Sequence, residues 1–351
     1  MTDLFSSILS AEESLFSNEM ALDYDYLPKE LPFRENQQKY LAECIQLLLV
    51  GRLGKNLLIL GKPGIGKTAA TKWVLREMEE KGLDEKVKPI FINCWKKDSA
   101  HKILLEICLQ LNYKWTHNKN TDELFQEVAK TINKSAAVIV LDEVDKLDSK
   151  QVIYQLLEDL NRKCFFLITN EEDWLANLDE RLRSRLVLET VEFKPYSAIE
   201  TFKILKHRAD HAFVKNVWDD EAFELITERA LEKKDIRLGL FLLREAGNIA
   251  ERKASRKITA EHASQAIEKV CSFTSKEKHE VSEEEQQILE LIKEHQNKTS
   301  TEIYQFYNEK ENKSYRTFHR KIKSLEEAGL IEIKEDFMTE SGGRISRIST
   351  K

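Results

Sequence analysis

No apolar run in this sequence approaches the roughly 20 residues that cross a bilayer as a helix; the longest, such as Ile45 to Val50 and Val138 to Leu141, are far shorter. Met1 is not followed by a basic and then an apolar segment, so a secretory signal is not expected. The five cysteines (Cys44, Cys94, Cys108, Cys164, Cys271) are odd in number, widely spaced and without a C-x-x-C pair, which argues against a disulfide frame or a zinc site. Glycine (11) and proline (5) are sparse, and there is no internal repeat or low-complexity tract. These absences lead to the expectation of a cytoplasmic chain with reduced thiols and no membrane partner.

An excess of basic charge is also missing. Lys and Arg number 55 against 61 Asp and Glu, a formal charge of −6, which on its face argues against nucleic acid. The surplus is local, however: residues 1–30 hold seven acids and one base, and the rest of the chain carries 54 of each.

What is present is a 351-residue chain, 41% hydrophobic. At roughly 100–200 residues per domain this makes two or three domains, each able to build a core. From Leu31 an apolar helical pattern runs through Tyr40, Leu41, Cys44, Ile45, Leu48 and Leu49. NLLIL (56–60) then reads as a buried parallel strand, followed by a glycine loop and a helix from Ala69 to about Lys81. Strand runs recur at 89–94, 137–143, 164–170 and 186–193, with helical patterns between them. That alternation predicts an α/β fold, a parallel sheet with helices on both faces. After Pro195 the text is helical, and the C-terminal part reads as three helices (283–295, 300–309, 314–328) followed by a hairpin, the order of a winged helix.

Gly61-x-x-x-x-Gly66-Lys67-Thr68 falls between a predicted strand and a predicted helix, as a phosphate-binding loop requires. Such a loop closes its amides on phosphate oxygens through Gly64, Ile65, Gly66 and Ala69; Lys67 adds a point charge and Thr68 a hydroxyl for magnesium. VIVLDEVDKL (138–147) ends a buried strand in two acids at the sheet edge where such folds bind ligands. Asp142 suits magnesium and Glu143 the attacking water. An acidic strand end is common by itself; beside the glycine loop it becomes specific. CFFLITN (164–170) brings Asn170 to the same edge, to orient the water and the γ phosphate, though Asn170 could instead only begin a turn. LDERLRSRL (178–186) presents Arg181, Arg183 and Arg185, a solvated helix face or a reach toward a neighbouring subunit's nucleotide.

In this order the motifs resemble those of an AAA+ ATPase. Within that superfamily YLPKELPFRENQ (26–37), GKPGIGKTAATKWV, LDEVDKL, FKPY (193–196), KDIRLGLFLLREAGNIAE (234–251) and the terminal winged helix are similar to the archaeal replication-initiator family, related to origin recognition complex subunit one and the cell-division-cycle-six loader. The resemblance implies ATP or ADP with magnesium, and Leu27, Pro28 and Arg34 near the adenine. It also implies Tyr196 and Arg208 at the pocket from a helical lid, Arg237 as the lid's sensor of the γ phosphate, and Arg185 as the finger. Lys234 stands where the family usually has glycine. The expected divisions are a flexible acidic start (1–20), a nucleotide-binding base (21–194), the lid (195–274) and the winged helix (280–351).

Between Ser314 and Leu325 there are four bases (Arg316, Arg320, Lys321, Lys323) and no acid, an expected +4 patch on the recognition helix of the winged-helix order. Arg316, Arg320 and Lys323 share a face, with Ser314, Tyr315 and His319 beside them, and Arg344 and Arg347 fall at the hairpin. The implied function is an ATP-dependent replication initiator that binds double-stranded origin DNA, as a homo- or hetero-oligomer at the nucleoid, and helps recruit the replicative helicase, with slow ATP hydrolysis as a switch. The alternative is a nucleotide-gated regulator or scaffold whose winged helix binds protein or promoter DNA.

Overall fold

The computed structural model describes residues 14–277, 283–295, 298–311, 315–327, 331–337 and 344–350. The chain divides into two compact units, Met1–Ile267 and Glu268–Lys351.

The first unit begins with α1 (Glu35–Leu49), β1 (Leu57–Leu60), α2 (Lys67–Glu80), β2 (Val87–Asn93), α3 (Ala100–Gln110), α4 (Thr121–Ile132) and β3 (Ala136–Asp142). It continues with α5 (Gln151–Asp159), β4 (Lys163–Thr169), α6 (Glu180–Leu186) and β5 (Glu189–Glu192). All strand pairings are parallel, in the order β2-β3-β4-β1-β5. β3 is buried along its whole length, and its side chains alternate between two cores. Val138 and Val140 pack with α1 and α2 residues such as Leu41, Leu48 and Val74. Ile139 and Leu141 pack with Ile103, Leu124, Val128 and Leu156 from α3, α4 and α5. The alternation is what places helices on both faces. β2 is an edge strand, and the Gln110 side chain accepts from Phe91 N (2.9 Å) and donates to Phe91 O (2.8 Å), occupying one step of its open ladder.

The strand expected over 186–193 is shorter. Leu186 closes α6, its carbonyl accepting from Asn56 Nδ2 at 2.6 Å, and Val187 turns the chain at φ 44° before β5 pairs with β1. The helix expected from Ala69 begins instead at Lys67, which puts Lys67 and Thr68 in its first turn.

Four helices follow: α7 (Ala198–Ala212), α8 (Asp220–Lys233), α9 (Ile236–Arg252) and α10 (Ala260–Glu277). Ser197 and Glu200 form a capping box on α7, and Asp235 caps α9 through Arg237 N. Lys234, between α8 and α9, has φ 54°, the left-handed conformation in which glycine is favoured. Up to Ile267 these helices fall in the same compact unit as the sheet. Ile236 N donates to Gly64 O at 3.2 Å, tying α9 to the loop after β1.

Of the flexible start expected over residues 1–20, residues 1–13 lie outside the described residues, and from Ser14 the chain is held on the helical segment. Ser17 N and Asn18 N donate to Ala212 O, Leu15 N donates to Glu251 Oε1, and Phe16 stacks on Phe213 with centroids 4.6 Å apart. Leu15, Ala21 and Leu22 are buried. Scattered apolar residues among acids found a docking face rather than solvent.

The second unit contains α11 (Glu283–Glu294), α12 (Ser300–Glu311), α13 (Tyr315–Glu327) and the antiparallel hairpin of β6 (Ile331–Phe337) and β7 (Arg344–Thr350). Its core joins Ile288, Ile292, Ile303, Tyr307, Phe318, Ile322, Leu325 and Ile348. Phe318, Ile322 and Leu325 recur at helical spacing, so one face of α13 is buried and His319, Arg320 and Lys323 are left exposed. Lys321 departs from the expected +4 patch: it reaches back to Glu284 (3.6 Å) and Glu285 (3.8 Å). Tyr315, Arg316, His319, Arg320 and Lys323 belong to α13 and Arg344 and Arg347 to β7, while Ser314 lies outside the described residues.

Among the described residues no helix is long and apolar enough to cross a membrane. Cys44, Cys94, Cys108 and Cys164 are free and buried.

Candidate nucleotide site

The carboxyl ends of β1, β3 and β4 open into a cavity of about 540 Å³, the size range of small-molecule sites. Its floor is the loop from Gly61 to Gly66. Two glycines there are constrained by neighbours as well as by backbone. Gly64 has φ 74°, and a Cβ on it would fall 1.9 Å from Asp235 Oδ1; Gly66 has φ 90°, with Tyr196 Oη 2.7 Å from a Cβ position. The amides of this loop and the first turn of α2 form a cradle for phosphate oxygens.

Lys67 Nζ donates to Gly61 O (2.7 Å), Lys62 O (2.9 Å) and Asn170 Oδ1 (2.6 Å). Burial pushes its ammonium down to about 8, against the pull of Asp142. Thr68 Oγ1 donates to Asp142 Oδ2 at 2.9 Å. Burial pushes the Asp142 carboxyl up, and the Thr68 bond opposes this. Glu143 has φ 55° and ψ 47°, and its carboxylate accepts from Asn93 Nδ2 at 3.2 Å.

Of the residues expected near a base, Leu27 and Pro28 line the cavity and Arg34 does not. Arg34 is buried behind the loop, donating to Ile65 O (3.0 Å from Nη2) and to Lys194 O (2.7 Å), with its guanidinium 3.8 Å from the Tyr196 ring centroid. Tyr196 does line the cavity, and burial raises its phenol. Arg208 lines it as well, but its donors go elsewhere: Nε to Ala21 O (2.5 Å) and Nη2 to Asp23 O (2.7 Å). Burial lowers this guanidinium to about 10.

Arg237 reaches the cavity at the start of α9 and is bound by the Asp235 carboxylate at 3.3 Å. Arg185 is not at the cavity; it pairs with Glu158, and its guanidinium lies 5.2 Å from the Tyr154 ring centroid.

Sequence reasoning missed Asn93 and Asp145. Asn93 ends β2 directly opposite Asp142 in the register, and the signal was present as the polar residue closing PIFIN. Asp145 accepts from Thr169 Oγ1 at 2.7 Å, joining the ends of β3 and β4. The set can therefore cradle phosphates, supply one ammonium, offer hydroxyl and carboxylate oxygens to a divalent cation, and hold a carboxylate beside the phosphate end.

A glycine loop, two acids at the end of β3, a polar end to β4 and helices docked over the loop define an AAA+ ATPase, a nucleotide-binding protein. Two family models match in agreement with this: an AAA domain over residues 52–172 and a Cdc6 AAA+ ATPase-type lid domain over residues 202–268. ORC1-type DNA replication protein 1 of Sulfurisphaera tokodaii is 35% identical over 280 residues, 76% of this chain and 70% of that one. ORC1-type DNA replication protein 2 of Methanothermobacter thermautotrophicus is 29% identical over 345 residues, 93% of this chain and 90% of that one. Among solved structures, the ORC1 protein of Aeropyrum pernix in complex with DNA superposes with a TM-score of 0.75 at 26% identity, covering 97% of this chain and 94% of that one. The chain belongs to the archaeal Orc1/Cdc6 family of ORC1-type DNA replication proteins, whose work is replication initiation.

Proposed function

We propose that the chain is an ATP-controlled initiator that binds double-stranded origin DNA and helps recruit the replicative helicase, hydrolysing ATP slowly as a switch. The observation that carries this reading is the hydrogen bond from Asn93 to Glu143. An amide donating to this carboxylate ties it to the end of β2 and lowers its basicity, which supports slow turnover. In this reading Lys67 holds the β and γ phosphates, Asn170 orients the water, and Arg237 leaves Asp235 to read the γ phosphate.

Thr68 and Asp142 are hard oxygen donors side by side, which fits magnesium, and they would hold it; when bound it neutralises phosphate charge. Leu27, Pro28 and Tyr196 surround the base and Arg208 braces that wall. Arg185 lies away from its own cavity, which supports a role at a neighbouring subunit's nucleotide in a homo- or hetero-oligomer.

The second unit is a winged helix. Its exposed Tyr315, His319, Arg320 and Lys323 support α13 as the recognition helix, with Arg316 on the same helix, Ser314 before it, and Arg344 and Arg347 on the wing. The base adds to the grip on DNA, and the protein works in the cytoplasm at the nucleoid. In the proposed division the base ends at residue 194 and the lid at 274, and the winged helix begins at 280.

The test is affinity for duplex DNA from the origin region of the same replicon, against random duplex of equal length, with ATP and with ADP. Tighter binding to the origin duplex, changed by the nucleotide, is expected. Equal binding to both duplexes removes origin recognition and favours a regulator or scaffold.

A further inference from the structure

Residues 23–34 pass the cavity without helix or strand, so no ladder of backbone bonds fixes the stretch that includes Leu27 and Pro28. Side-chain donors take up its carbonyls instead. Arg76, on α2, donates Nη1 to Leu27 O at 3.0 Å and Nη2 to Pro28 O at 2.8 Å. Trp73, one turn earlier on the same helix, donates Nε1 to Lys29 O at 2.9 Å. Three consecutive carbonyls thus end on one face of the helix that carries Lys67 and Thr68 in its first turn. From the other side Arg208 takes the carbonyls of Ala21, Asp23 and Tyr26.

The guanidinium of Arg76 is a planar fork that meets two adjacent carbonyls at once, which an ammonium on a flexible stem does not reproduce. Arg76 is absent from the cavity lining and touches none of the groups around the phosphates. Its influence passes through the position of Leu27 and Pro28. We propose that Arg76 is a positioning residue for the nucleotide's base: it sets the wall against which the base packs and leaves the phosphate cradle alone. The proposal rests on the reading of this cavity as a nucleotide site.

The experiment compares the affinities of the full chain for ATP and for inorganic tripolyphosphate, which has the phosphates and no base. The parent, Arg76→Ala, Arg76→Lys and Glu80→Gln are measured by calorimetry with magnesium present. Arg76→Ala is expected to bind ATP about tenfold more weakly, the loss of a charged hydrogen-bonding group, and tripolyphosphate within about twofold of the parent. Arg76→Lys recovers part of the ATP affinity. Glu80→Gln, which removes only the ion-pair partner 3.6 Å from Arg76, behaves as the parent. Unchanged ATP affinity in Arg76→Ala overturns the proposal, and so does an equal loss for tripolyphosphate, which would mean that α2 or the loop itself had moved. A parent chain that binds neither ATP nor tripolyphosphate overturns the nucleotide reading as well, a result distinct from either.

Discussion

The amide of Asn93 donates to the carboxylate of Glu143 at 3.2 Å, joining the end of β2 to the residue that follows β3. If that bond restrains the carboxylate, Asn93→Ala raises basal ATP hydrolysis by a few fold, about 1 kcal/mol off the barrier. Glu143→Ala retains ATP and loses turnover. Steady-state phosphate release checks both, and equal rates for Glu143→Ala and the parent would remove Glu143 from the proposed role.

Lys67 gives the nucleotide affinity a dependence on pH. Its ammonium is held at about 8 in the free site, below the ordinary lysine value, and bound phosphates would raise it. A group whose pKa rises on binding contributes fully below its free value, so the Lys67 contribution to ATP affinity is complete below about pH 8 and falls as pH climbs past it. In the same linkage the folded state without ligand binds fewer protons than the unfolded chain above pH 8, so its stability rises with pH there while ATP affinity falls. Calorimetry at pH 8.5 in buffers of different ionisation enthalpy should detect proton uptake on binding, and Lys67→Arg should abolish it.

With α13 as the proposed recognition helix, its two sides are expected to separate DNA binding from stability. Arg320→Ala with Lys323→Ala should weaken binding to any duplex and reduce the salt slope by about two, one for each phosphate left without its cation. Lys321→Ala should leave the slope alone and lower the unfolding midpoint, because its ion pair with the buried Glu285 would be lost. A Lys321→Ala slope change as large as that of the double variant would put the DNA on the opposite face of the helix.

Val187 is exposed, β-branched and left-handed at φ 44°. The left-handed conformation costs an L residue about 1–2 kcal/mol, partly offset in glycine by the greater freedom of its unfolded chain. Val187→Gly is therefore expected to raise the denaturant midpoint by an amount equivalent to about 0.5–1 kcal/mol, with no packing to lose. A lower midpoint would show that the side chain contributes more than its exposure implies.

Much of this architecture could be read from the residues in order. The run Ala136–Asp142 declares a doubly covered strand because every position is apolar until the last, and the glycine loop and the acids after β3 follow from the same local text. Where the reading failed, the deciding partner was remote. Leu186 leaves the expected strand because Asn56 takes its carbonyl, 130 residues away in sequence. Asn93 gains its meaning from a carboxylate 50 residues on. Arg208 lines the cavity and Arg34 lies behind its loop, because which atoms a guanidinium meets depends on how loops lie, and here those atoms are backbone carbonyls. Lys321 shows the same limit for charge: a sequence count includes it in the patch, while Glu284 and Glu285 draw it inward.

The anchoring of the N-terminal strap also constrains the order in which the site can come into being on the ribosome. The wall of the cavity at Leu27 and Pro28 is translated before the phosphate loop, yet one of its braces, Arg208, lies 187 residues after the Ala21 carbonyl it holds, and Glu251 lies 236 residues after Leu15. A nascent chain that has completed the sheet therefore has its phosphate cradle before its base wall is secured on both sides. Full nucleotide affinity should arrive late in synthesis, when α7 to α9 have emerged and the segment from Leu15 to Tyr26 has found them.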